Sequence, residues 1–137
     1  MIITIANAIS ALGISEWVLR GEPTTEAEFN AMFRKVTGSK DGSAIESSTP
    51  SDFGTTWKAV SDKKTELTTA EPMRLLRVER DRLLAECDWM ANSDVTLADN
   101  WKTYRQSLRD LPAGASPKLS ADGSLDMSSV TFPTKPS

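Results

Sequence analysis

Apolar positions along the chain fall into short periodic stretches separated by Gly, Ser, Thr and Pro. Ile5, Ala8, Ile9 and Leu12 recur at helical spacing and Gly13 follows as a stop, which predicts a helix. Ile14 to Arg20 carries β-favouring Trp17 and Val18 and predicts a short strand, broken by Gly21-Glu22-Pro23. Thr25-Glu26-Ala27-Glu28 has the spacing of a capping box, and Phe29, Met32, Phe33 and Val36 then lie at i, i+3, i+4 and i+7. The expectation is a helix running to Gly38, so that residues 1–37 form a small α/β module.

Residues 38–55 hold only Ile45 and Phe53 as isolated large apolar positions among Gly, Ser and Thr, and read as a linker. Trp57, Val60 and Leu67 begin a helical module over 56–112, and Met73, Leu76, Leu83, Leu84 and Cys87 continue its apolar stripe after Pro72. Proline suits a first turn better than a helix interior, so a break is expected near Glu71. A second helix starting near Thr96 buries Leu97, Trp101, Tyr104, Leu108 and Leu111. The two helices predict an antiparallel hairpin whose core is Leu76, Leu83, Leu84, Trp89, Trp101, Tyr104 and Leu108. From 113 to 137 the chain is rich in Pro, Ser and Thr, with an Ala121-Asp122-Gly123-Ser124 turn between Leu119 and Leu125. That segment has too little apolar area for a core and reads as an extended arm, mobile until a partner orders it. The fold class expected is mainly α, with a small α/β N-terminal module, a C-terminal helical hairpin and an extended Pro/Ser-rich arm.

Composition narrows the chemistry. In 137 residues there is no histidine, which removes Ser-His-Asp and Cys-His catalysis, and the single cysteine, Cys87, permits neither an intrachain disulfide nor a cysteine metal cluster. A net charge of −3 gives no global attraction for nucleic acid, and no run approaches the roughly 18 apolar residues of a membrane helix. The N-terminal Met1 to Ile5 lacks the basic flank of a secretory segment.

Motif-like spacings carry little. Ser61-Asp62-Lys63-Lys64 is a literal Ser-x-x-Lys, without the companion motifs that would support a nucleophile. Gly38-Ser39-Lys40 lacks the order of a phosphate loop, and Asp122 and Asp126 lack the series of a calcium loop. Cys87 reads as a buried small hydrophobe, and the arginines Arg74, Arg77, Arg80, Arg82, Arg105 and Arg109, interleaved with acids, read as intramolecular ion pairs. Trp17 and Trp57, with few apolar neighbours in sequence, are candidate partner-binding anchors, as are Val130 and Phe132 in the arm. No catalytic, cofactor or metal residue is assigned.

One stretch goes further. Leu75-Leu76-Arg77-Val78-Glu79-Arg80-Asp81-Arg82-Leu83-Leu84-Ala85-Glu86-Cys87-Asp88-Trp89, followed by Tyr104-Arg105-Gln106-Ser107-Leu108-Arg109-Asp110-Leu111-Pro112 and by Val130-Thr131-Phe132-Pro133, resembles the phage tail assembly chaperone family. The family signature is a helix reading L-R-x-x-R-D-x-L-L-A-x-x-D-W, then Y-R-Q-x-L-R-D-L-P and a terminal V-x-W-P, with Phe132 here in place of tryptophan. A similar module ends tail-fibre-like virion proteins of marine phages. The resemblance implies a non-enzymatic bacteriophage tail-associated protein that acts by protein–protein contact and needs no cofactor. Its expected role is a virion structural component of the tail or its fibre attachment, with a transient tail or tail-fibre assembly chaperone as the alternative. Expected partners are other tail or tail-fibre proteins, or further copies of this chain, and neither nucleic acid nor membrane. Synthesis in the host cell cytoplasm and a final place in the virion tail complete the expectation.

Overall fold

The computed structural model describes residues 1–137, which divide into two compact units, Ile2–Thr69 and Ala70–Ser137 together with Met1. The first holds helix α1 (Ile5–Ala11), strand β1 (Trp17–Leu19), helix α2 (Glu26–Met32) and strands β2 (Phe33–Lys40) and β3 (Ser43–Ser47). Helix α3 (Trp57–Glu86) begins in this unit and ends in the second, which adds helix α4 (Asp99–Gly114).

In the first unit, α1 opens on a reciprocal cap: the Asn7 amide donates to Thr4 Oγ1 while the Thr4 amide donates to Asn7 Oδ1 at 2.8 Å. Thr25 caps α2 by accepting from the Glu28 amide at 3.2 Å, but the Glu28 carboxylate reaches Thr24 rather than Thr25, one residue away from the expected box. The sheet is antiparallel in the order β1-β2-β3, with Leu19 opposite Phe33 and Lys40 opposite Ser43. Between Gly38 and Val36 the register shifts by a bulge at Thr37. Ile5, Ala8, Ile9, Phe29, Phe33, Phe53 and Val60 form the core.

Two expectations fail here for one reason. The helix expected through Val36 to Gly38 stops at Met32, and Phe33 starts a strand; the segment read as a linker contains the rest of the hairpin and a short 3-10 turn, Pro50–Asp52. Asp41 at φ 55° and Gly42 at φ 80° have both central residues left-handed, the geometry of a two-residue type I′ hairpin turn. Phe33 satisfies either pattern, being one turn from Phe29 and also the first buried position of a strand. Tertiary packing against Phe53, with ring centroids 4.7 Å apart, settles it as strand.

α3 runs unbroken through Pro72, against the expected break. Proline leaves the Thr68 carbonyl without its helical donor, and the division between the two units falls one turn before it. In the second unit α3 and α4 are joined by a reversal containing the 3-10 turn Asp88–Ala91. Cys87, Tyr104 and Leu108 are its core cluster, with Leu83, Leu84, Met90 and Trp101 packed against it.

The extended, mobile arm is overturned as well. Leu119 bridges Leu125 across the turn, Met127–Ser129 is a 3-10 turn, and Val130 is only 8% exposed. Two Asp-x-Ser turns supply what the apolar residues do not. Asp122 Oδ1 accepts from the Ser124 amide and hydroxyl at 3.0 and 2.6 Å, and Asp126 Oδ1 accepts from those of Ser128 at the same distances. The Lys118 amide donates to Ser129 Oγ at 2.9 Å and the Asp126 amide to the Lys118 carbonyl at 2.8 Å, closing the segment on itself. Gly123 touches the Met1 amino group, which lies 3.5 Å from Glu71, while Lys135 lies 3.7 Å from Glu86, so the segment runs alongside α3 from Glu71 to Glu86. The fold is therefore four α-helices and a three-stranded antiparallel sheet, with residues 113–137 part of the second unit.

Candidate functional site

The C-terminus of a helix leaves carbonyl oxygens without donors and carries the negative end of the dipole. At the end of α3 the missing donors come from α4. Arg105, 6% exposed, donates through Nη1 to the Leu84 carbonyl at 3.1 Å and to Cys87 Sγ at 3.0 Å, and through Nη2 to Asp88 Oδ1 at 2.9 Å. The Cys87 thiol sits 3.4 Å from the Leu84 carbonyl and 3.6 Å from that of Leu83. One guanidinium thus clamps the last turn of α3, the start of the reversal and the middle of α4. The hydrogen bond to Asp88 leads in holding its pKa above the ordinary arginine value, against the desolvation that lowers it. Sequence reading placed Arg105 among ion pairs but missed that it is buried; its position one residue from Tyr104, on the stripe of Leu108, was the available signal.

Of the residues expected in the hairpin core, Leu83, Leu84, Trp101, Tyr104 and Leu108 belong to the cluster beside this clamp, and Leu76 is buried outside that cluster. Leu76, Tyr104 and Leu108 are buried, and Leu83, Leu84 and Trp101 are half-buried, with the Trp101 and Tyr104 rings edge to face at 5.7 Å. Trp89 is not in the core: it is 57% exposed, because the 3-10 turn that follows Cys87 points its ring outward while Met90 packs inward.

The remaining candidates are dispersed. Trp17 stacks on Phe33 at 6.3 Å and donates its ring N–H to the Ile14 carbonyl at 3.0 Å, and Trp57 lies 5.7 Å from Phe29, so both are half-buried rims of the aromatic core. Val130 is buried and Phe132 half-buried within the second unit. Ser61 and Lys64 line a depression of about 380 Å³ in the first unit. The Lys64 amine is held 3.1 Å from Glu22 Oε1, so it is a paired cation rather than a base for the Ser61 hydroxyl. No three of the Cys, Asp and Glu side chains converge on a point that could hold a metal ion.

Residues 73–137 match the family model described as phage tail assembly chaperone protein. Over this stretch, just under half of the chain, the sequence is similar to the phage tail assembly chaperone family. No curated protein and no solved structure matches the chain. The matched stretch contains the end of α3, the reversal, α4 and the folded segment beyond it, and the match supports a phage tail-related assembly role. Within it the two signature pieces meet in space: Asp88 of the Asp-Trp pair accepts from Arg105 of Tyr-Arg-Gln. In this chain those two pieces form a clamp between the end of α3 and α4, next to the 3-10 turn that carries the exposed Trp89. Two other large apolar side chains of the stretch are also exposed, Val78 at 54% and Met127 at 51%.

Proposed function

We propose that the protein acts as a transient tail assembly chaperone, holding a tail or tail-fibre protein through the hairpin end at Trp89 and doing no chemistry itself. The observation that carries this reading is the exposed Trp89 ring beside a buried polar clamp. An exposed tryptophan is costly to hydrate and is the side chain most enriched at binding hot spots, and a rigid base lowers the entropy lost on docking. The family's assembly role supports the choice of partner. Retention in the virion was the first expectation from sequence; the turns that close 113–137 onto its own chain remove the need for a permanent partner to hold that segment.

Mass spectrometry of purified, washed virions and of infected-cell lysate tests the choice. Abundance in the lysate with absence from virions is expected. Stoichiometric presence in the virion would replace the chaperone with a structural component of the tail.

A further inference from the structure

α4 presents Lys102, Arg105, Gln106 and Arg109 at i, i+3, i+4 and i+7, on one face. These residues, with Leu97 and Ala91 of the reversal, line a depression of about 410 Å³. Its charge is not neutralised from within. Arg109 has no acidic partner, and Lys102 has only Asp99 at 3.6 Å, whose side chain is fully exposed to water. Arg105 contributes in a second way. Its Nη1 and Nη2 are taken by Leu84, Cys87 and Asp88, but its Nε makes no hydrogen bond in the chain. Since no fully buried side-chain nitrogen or oxygen in the protein lacks a partner, that N–H keeps access to solvent. Arg105, with its Nε–H unused, therefore lines the same depression as Arg109, which has no acidic partner, Lys102, whose one partner is the exposed Asp99, and the apolar Leu97 and Ala91.

We infer that this depression binds a carboxylate side chain of a partner protein, with Arg105 Nε as the oriented donor and Lys102 and Arg109 as flanking cations. The inference rests on the contact role proposed above and specifies the chemistry of the partner. A polynucleotide fits poorly, because Asp99 at the start of α4 and Asp110 toward its end, with Asp88 beyond the end of α3, would oppose a row of phosphates. A single carboxylate on a protein chain avoids them, and an arginine that is already clamped loses little freedom on binding it.

The test is a titration of the ¹⁵N-labelled full-length chain with a capped six-residue glutamate peptide, which needs no phage and so can fail independently of the assembly role. Expected are shifts at the Arg105 Nε–H and at the amides of Lys102, Thr103 and Arg109. The double variant Lys102→Gln/Arg109→Gln, both exposed positions, is expected to weaken binding about tenfold, and Arg77→Gln on α3 to leave it unchanged. Absence of shifts at Arg105 Nε would overturn the inference. So would equal weakening by Arg77→Gln, which would mean diffuse attraction, or tighter binding of inorganic phosphate or of a short oligonucleotide at the same resonances.

Discussion

The two units of this chain solve the same problem by opposite means. The Ile2–Thr69 unit is closed by apolar contact: Phe29, Phe33 and Phe53 are fully buried with ring centroids 4.7 to 5.9 Å apart, and two tryptophans extend the cluster. The family unit has a smaller buried cluster, Cys87, Tyr104 and Leu108, and depends on directional polar bonds, the Arg105 clamp at one place and the Asp-x-Ser turns at another. An apolar cluster tolerates small shifts of its members, whereas a clamp fixes one geometry. The lesson is that the unit matching the chaperone family is the one whose shape is set by hydrogen bonds, with large apolar side chains such as Trp89 and Val78 left exposed.

The largest expected effect lies on the aromatic side. Phe33→Ala removes a fully buried ring from the centre of the cluster and is expected to cost about 3–5 kcal/mol in denaturant unfolding. A loss under about 1 kcal/mol would show that the cluster is not what closes that unit. Next comes the clamp. Arg105→Met keeps the volume of the side chain but leaves the Leu84 carbonyl without its α4 donor, and about 1.5–3 kcal/mol is expected. Retention of full stability would mean that apolar packing holds both units alike, and the contrast would collapse.

Acid should separate the units more gently. In the Ala70–Ser137 unit Glu71 is held below the usual carboxylate range first by its hydrogen bonds from Arg74, Glu79 by those from Arg82, Asp122 by Ser124 and Asp126 by Ser128; in the other unit Glu46 is lowered by Arg20. A carboxyl whose folded pKa lies below its unfolded value contributes stability that is present above the unfolded value, and loses it as pH falls through the folded one. As pH drops below about 4, amide exchange corrected for its intrinsic rate is expected to rise first in 70–137. A simultaneous rise in 2–69 would contradict the assignment. Smallest of all is Trp89→Ala, whose exposed ring is expected to contribute no more than about 0.5 kcal/mol to stability by thermal unfolding.

How far sequence reached follows the same division. The helical hairpin was legible because Leu76, Leu84, Cys87, Tyr104 and Leu108 repeat at helical spacing over long runs. The β2-β3 hairpin was not read, because Phe33 and Val36 fit a helix as well as a strand and the decisive Asp41-Gly42 turn signal lay inside a Gly- and Ser-rich run that resembles a linker. The order of 113–137 was missed by counting only apolar burial, whereas Asp122-Gly123-Ser124 and Asp126-Met127-Ser128 fold it through side-chain to backbone bonds. At the candidate site, the motif contained Arg105 and Asp88 without showing what they do. Arg105 and Asp88 were visible as letters, and only the helix end at Leu84 explains why a buried guanidinium belongs there. Trp89 was assigned to the core because tryptophan in an apolar neighbourhood usually is; the 3-10 turn after Cys87 reverses it.

The central claim is that the clamped hairpin end works by presenting Trp89 to a tail protein. Its most direct test is the Trp89→Ala chain supplied to a phage whose own copy of this gene is disrupted, with tailed particles counted by electron microscopy. The account predicts a loss of at least about tenfold in tailed particles, the scale of one hot-spot side chain, with unfolding unchanged. Tailed particles at the level given by the unaltered chain would contradict it.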